Sequence, residues 1–140
     1  MKIRIAQIND LNELESISEE QFHLESLRPK FNNLIFDKDY VVKVIEIKKT
    51  ILGFIVLKYV DKNVIDIYSI AIKNKYQNKG YGYKFLRDIV KSFSNYKITL
   101  EVSEKNSAKK LYLKCGFKID TIRKQYYPDS NAILMSYIRD

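Results

Sequence analysis

The chain predicts an α/β fold of the α+β type, a mixed and mostly antiparallel central sheet flanked by helices. Three observations predict it. Apolar β-branched runs separated by short polar turns read as hairpins. One such run, 64–72, leads through a glycine turn into a helix-like run, 83–93, and then into a further strand-like run, which makes a single βαβ crossover. The length, 140 residues, allows one domain with a real core (residues 1–140) and too little chain for two.

Each element has a local reason. Residues 2–8 alternate around Ile3 and Ile5 and read as a first strand. Asn9 or Asp10 can cap a helix carrying Leu11, Leu14, Ile17 and Phe22. A second helical piece comes after Pro29 and ends near Phe36. Residues 40–47 and 51–60 are β-branched runs around Lys48-Lys49-Thr50, a hairpin. Asp61-Lys62-Asn63 is another polar turn, leading into 64–72. The helix after the glycines carries Phe85, Leu86, Ile89, Val90 and Phe93 at helical spacing, a core stripe. Residues 97–102 form a short strand. Residues 107–114 form a short helix stopped by Gly116 in the C′ position. Residues 117–126 and 132–138 are closing strands joined by Tyr127-Pro128-Asp129-Ser130-Asn131.

Composition narrows the function classes. The longest uncharged apolar runs are strand-sized, so no membrane span is expected. Residues 1–5 alternate and lack the apolar region of a signal peptide. A single cysteine, Cys115, excludes an internal disulfide framework, and these points together favour the cytoplasm. The net charge of +8 admits nucleic acid, an acidic partner or a phosphorylated ligand. Only five arginines are present, scattered at 4, 28, 87, 123 and 139, which argues against base readout. One histidine, His23, on an expected surface helix and one distant cysteine make no metal site. Cys115 reads as a small core residue.

The chemistry gathers at the crossover. Gln77-Asn78-Lys79-Gly80-Tyr81-Gly82 joins the strand ending Ser69-Ile70-Ala71-Ile72 to the next helix. Strand, glycine turn and helix N-terminus aim the N–H groups of Asn78 to Tyr83 at one anion. Gly80 allows close backbone approach, and Gly82 removes a Cβ at the helix entrance. The loop lacks the Gly-Lys-Ser/Thr of a P-loop, and the three-glycine dinucleotide pattern is absent.

Gln77-x-x-Gly80-x-Gly82 resembles the acetyl-coenzyme A loop of the GNAT N-acetyltransferase superfamily. Leu111-Tyr112-Leu113-Lys114-Cys115-Gly116-Phe117 resembles that family's second hallmark, in its usual order and separation. Within the superfamily the chain is most similar to ribosomal-protein alanine N-acetyltransferases. Leu100-Glu101-Val102, Leu111-Tyr112, Arg123-Lys124-Gln125-Tyr126-Tyr127 and Ala132-Ile133-Leu134-Met135 carry that similarity. The resemblance implies the acyl-coenzyme A N-acyltransferase fold and acetyl-coenzyme A as co-substrate, with no metal. Donor contacts then fall on the backbone of Ile70, Ala71 and Ile72, on Gln77 to Tyr83, and on Asn106. It implies Glu101 as general base and Tyr112 as general acid towards the leaving thiolate. Lys75, Lys79, Lys105, Lys109 and Lys110 are further candidates for the coenzyme phosphates.

The implied acceptor is a primary amine, first a protein N-terminal α-amine. A small-molecule amine is the alternative, and a non-catalytic acyl-coenzyme A sensor is a second. Monomer and homodimer both remain open. The chain departs from the family pattern at three places. Asn106 stands two residues before Ala108 where the family has three. Ser130-Asn131 replaces an acidic pair. Gln21-Phe22-His23 has no tryptophan after it. The last two regions shape the acceptor side.

Overall fold

The computed structural model describes residues 1–138. Among these residues seven strands form one sheet in the order β1-β2-β3-β4-β5-β7-β6. They are β1 (Lys2–Ile5), β2 (Tyr40–Ile47), β3 (Thr50–Asp61), β4 (Val64–Ile72), β5 (Lys97–Ser103), β6 (Lys118–Tyr127) and β7 (Ser130–Tyr137). The helices are α1 (Leu11–Gln21), α2 (Phe31–Leu34), α3 (Tyr81–Ser92) and α4 (Ala108–Lys114). Among the described residues only β4 and β5 pair in parallel, as the crossover through α3 requires.

Local chemistry sets the bounds. The first strand stops at Ile5, short of the expected Ile8. There the Asp10 carboxylate accepts from the Gln7 N–H at 2.7 Å and from the Arg4 guanidinium at 2.8 Å, folding the chain into a 3₁₀ turn at Ile8–Asp10. Arg4 also reaches Glu46 at 3.0 Å, and the shared guanidinium holds both carboxyls below their ordinary range. The first helix ends at Gln21, one residue before Phe22 turns extended, so His23 lies in an exposed bend beyond it. The second helical piece is a single turn. Lys48 and Lys49 both take positive φ, closing the β2–β3 hairpin with two residues.

Separate cores pack on the two faces of the sheet. Leu14, Ile17 and Phe31 of α1 and α2 pack on Val42, Val44, Phe54 and Val56. Phe85, Leu86, Ile89 and Val90 of α3 pack on the other face, against Ile55, Leu57, Ile65 and Ile98. The stripe predicted for α3 is thus the core, except that Phe93 packs at its margin.

One irregularity makes room for a site. In the β3–β4 register Val56 faces Ser69 but Leu57 faces Ile67, so Tyr68 is an extra residue. Such a bulge bends its strand. The β4–β5 ladder runs from Val64↔Lys97 to Ile67↔Leu100 and stops there. Both strands continue, β4 to Ile72 and β5 to Ser103, without pairing to each other. The sheet therefore opens between them.

Candidate active site

A cleft of about 540 Å³ occupies this opening. Its walls are Ile70, Ala71 and Ile72 of β4, the loop and helix start from Tyr76 to Tyr83 apart from Lys79, and Asn106, Ser107, Ala108, Leu111, Tyr112 and Lys114 of α4 and the turn before it. Gln21 and Phe22, at the end of α1, complete it.

The β4 wall is backbone. The Lys73 N–H bonds the Leu52 carbonyl at 2.8 Å, towards β3. Strand alternation then turns the amide of Ala71 towards β3 as well, and those of Ile70 and Ile72 towards the opening. Of the three expected backbone contacts, Ile70 and Ile72 therefore present polar groups to a ligand, while Ala71 contributes surface. The Ile72 carbonyl is already taken, accepting from Gln77 Nε2 at 2.8 Å.

The loop is shaped to receive an anion. Asn78 and Gly80 take φ of 61° and 88°, and Gly80 is the N-cap of α3. A Cβ on Gly80 would meet nothing within 4 Å, so glycine is required there by conformation, not space. The first α3 amide bonded back into the helix is Lys84, to the Gly80 carbonyl at 3.1 Å. The N–H groups of Tyr81, Gly82 and Tyr83 are thus the free donors of the first turn, at the positive end of the helix. Gly82 has a different reason: a Cβ there would lie 2.9 Å from Leu111 Cδ2, so the glycine lets α4 pack on the start of α3. Lys79, between two left-handed residues, is exposed and does not line the cleft.

Asn106 lines the cleft despite its one-residue displacement. Its Oδ1 accepts from the Ala108 N–H at 2.9 Å, leaving its NH₂ for a ligand. Among the lysines, the cleft is lined by Lys114, which the sequence pattern does not single out, and not by Lys75, Lys105, Lys109 or Lys110. The Lys114 ammonium sits 4.8 Å over the Tyr83 ring, and Lys105 instead pairs with Asp129 at 3.7 Å.

Tyr112 and Glu101 lie on opposite sides of the opening. Tyr112 is on α4, 5% exposed, and its side of the sheet is that of α3. Burial pushes its phenol up to about 12. It is then a hydrogen-bond donor throughout the neutral range, and a reluctant proton donor to a thiolate. Burial also raises the neighbouring Cys115 thiol, which keeps it protonated and inert. Glu101 alternates with buried Leu100 and Val102 and is exposed on the opposite face. It sits one residue past the last β4–β5 pair and does not line the cleft. On its face stand Asp66, whose carboxylate accepts from Thr99 Oγ1 at 2.6 Å, and Tyr127. Burial raises both their pKa values, with Glu101 adding to each.

Gln21, Phe22, Tyr76 and Leu111 also line the cleft without having been expected from the sequence. Gln21 had a signal. It falls on the helix face of Leu14, Ile17 and Ser18, where a polar side chain needs partners.

Fold and site define an acyl-coenzyme A-dependent acetyltransferase. The family model described as "Acetyltransferase (GNAT) family" matches residues 8–117, and the chain belongs to that family. A [ribosomal protein bS18]-alanine N-acetyltransferase from Haemophilus influenzae is 36% identical over 103 residues, 68% of this chain and 69% of that protein. The crystal structure of the ribosomal-protein-S18-alanine N-acetyltransferase from Escherichia coli superposes with a TM-score of 0.84 at 23% identity, covering 96% of this chain and 91% of that one. A Bacillus subtilis acetyltransferase in complex with CoA gives 0.83 at 15% identity, covering 99% of both chains. These two likenesses are of fold.

Proposed function

We propose that the protein moves an acetyl group from acetyl-coenzyme A to a protein N-terminal α-amine, with a ribosomal-protein N-terminal alanine as its first acceptor. The 36% identity to the Haemophilus influenzae enzyme, whose name states that acceptor, carries the reading. The reading puts the reaction in the cytoplasm.

The cleft fits the donor on its own evidence. Free first-turn N–H groups, a left-handed glycine N-cap and Lys114 suit a pyrophosphate. The outward amides of Ile70 and Ile72 suit the amide-bearing arm. When bound, acetyl-coenzyme A supplies an activated acyl group at the β4–β5 opening.

The residues of the chain do the rest. At pH 7 an α-amine costs about 1 kcal/mol to deprotonate and a lysine about 4.6 kcal/mol. Glu101, on the open face, accepts the amine proton directly or through water. An N–H of Ile70 or Ile72 meets the charge developing on the acyl oxygen. The Tyr112 hydroxyl, from the other side, donates a hydrogen bond to the departing sulfur.

The test is an acetyl-transfer screen. Peptides beginning with Ala, Ser or Met are compared with internal-lysine peptides and polyamines. Preference for the Ala peptide is expected. Preference for a polyamine would replace the acceptor assignment and leave the donor assignment standing. The donor assignment falls if millimolar acetyl-coenzyme A leaves the melting temperature unchanged.

A further inference from the structure

Away from the reacting groups, a chain of side-chain hydrogen bonds joins the donor loop to the end of α1. Gln77 Nε2 donates to the Ile72 carbonyl at 2.8 Å and to Gln21 Oε1 at 2.8 Å. Gln21 Nε2 donates to Asn74 Oδ1 at 2.8 Å and to Glu20 Oε1 at 3.0 Å. The Asn74 N–H donates to the same Glu20 oxygen at 2.7 Å. The Gln77 amide donates into Gln21, the Gln21 amide donates on to Asn74 and Glu20, and the Glu20 carboxylate closes the network by accepting from both Gln21 and the Asn74 N–H. Flipping either Gln21 or Gln77 would set carbonyl against carbonyl, so the orientation is determined by the network itself. An ion pair between Lys73 and Glu13 runs beside it.

The position of Gln21 gives these bonds their consequence. Its neighbour Phe22 lines the cleft. The Phe22 carbonyl accepts from Arg28 Nε at 2.9 Å, which ties the segment 22–28 to the end of α1. That segment leaves Leu24 63% and Leu27 55% exposed, so it carries little burial of its own to hold it. Gln77 meanwhile sits between the two donor-binding parts, the Ile72 carbonyl and the Asn78–Tyr83 loop. A donor that fixes both fixes Gln77 between them.

We propose that Gln21, held by Gln77, Asn74 and Glu20, is a positioning residue through which donor binding orders segment 22–28 and so prepares the acceptor side. The proposal rests on the donor assignment above. It makes the two binding events cooperative: the donor raises acceptor affinity, and the acceptor raises donor affinity by the same factor.

Hydrogen exchange with and without coenzyme A tests it. In the unaltered enzyme, saturating coenzyme A slows exchange across residues 22–28 by at least about fivefold. In Gln21→Leu the slowing drops below about twofold, while coenzyme affinity stays within about threefold. Gln77→Leu at saturating coenzyme A also loses the slowing, whatever it does to coenzyme affinity, and the double variant lowers protection of residues 22–28 no further than Gln21→Leu, because both break one chain. These side chains are exposed enough that the variants fold, and the melting temperature without ligand checks this. If coenzyme A binds and residues 22–28 exchange as before, or if Gln21→Leu keeps full protection, the coupling is overturned and the donor site stands. If coenzyme A does not bind at all, both fall together.

Discussion

The two sides of the β4–β5 opening are made of different material. On the α3–α4 side the walls are main chain and core: the amides of Ile70 and Ile72, the N–H groups of the first α3 turn, and a Tyr112 that is 5% exposed. On the other side they are solvated side chains: Glu101, Tyr68, and the loosely held segment after α1. A wall of main chain is set by the course of the backbone, so most side-chain substitutions leave it unchanged. A wall of side chains can be altered one residue at a time. In the proposed reaction the first would be a fixed donor side and the second an adjustable acceptor side, with the reacting atoms meeting at the opening between them.

The first way to break that division is Glu101→Gln. Turnover should fall by about 10²–10⁴-fold, the range for a lost general base. Donor affinity should hold within about twofold, because Glu101 does not line the cleft. Isothermal titration with coenzyme A beside initial rates separates the two. A parallel loss of affinity would show that the sides are not independent.

The reverse experiment is Gly82→Arg. Its Cβ alone would lie 2.9 Å from Leu111 Cδ2, and a longer side chain must displace Leu111 or fill the cleft that both residues line. Overpacking of this kind costs about 1–3 kcal/mol of stability, read by urea denaturation, and coenzyme affinity should fall about tenfold or more. Gly82→Ala is the control, with a smaller loss in both as Leu111 rotates away. Should Gly82→Arg bind coenzyme A as tightly as the unaltered enzyme, the α3 start is a packing joint only.

The same division explains what was legible in the sequence. Gly80 and Gly82 stand out because the main chain needs them, one for a φ of 88° and one for contact with Leu111. The strand and helix order was readable from alternation and from the α3 stripe, since burial on a sheet leaves that periodicity. The Tyr68 bulge was not, because it is a difference in register between two strands and neither strand records it alone. Gln21 escaped because its partners, Asn74 and Gln77, lie more than fifty positions away. Lys114 does not stand out in sequence among the many lysines, since spacing cannot say which ammonium is held over a ring.

Tyr112→Phe probes the buried side by pH. The folded phenol is raised to about 12 and an unfolded one titrates near 10. Between those values the unfolded chain loses a proton that the folded chain keeps. Stability from this group is therefore complete below pH 10 and is lost as pH rises towards 12, by about 1.4 kcal/mol per unit. In Tyr112→Phe that part of the alkaline slope disappears from the melting curves. Below pH 10 the phenol stays protonated, so no limb of the rate profile between pH 6 and 9 should vanish with it. Loss of such a limb would mean that the hydroxyl ionises during turnover.

The smallest expected effect is at Lys114, and it sharpens the comparison most finely, because Lys114 is the solvated side chain on the otherwise main-chain side. Its ammonium is held 4.8 Å over the Tyr83 ring, an arrangement worth about 0.5–1 kcal/mol at an exposed site. That contact fixes the charge beside the first α3 turn, where a phosphate would lie. Lys114→Met should weaken coenzyme binding about three- to fivefold at low ionic strength, with the difference shrinking as salt screens it. Lys109→Met, on the same helix but away from the cleft, should change nothing. A tenfold or larger loss at Lys114 would mean that the donor side depends on a charged side chain after all, and that the boundary between fixed and adjustable walls lies inside the cleft.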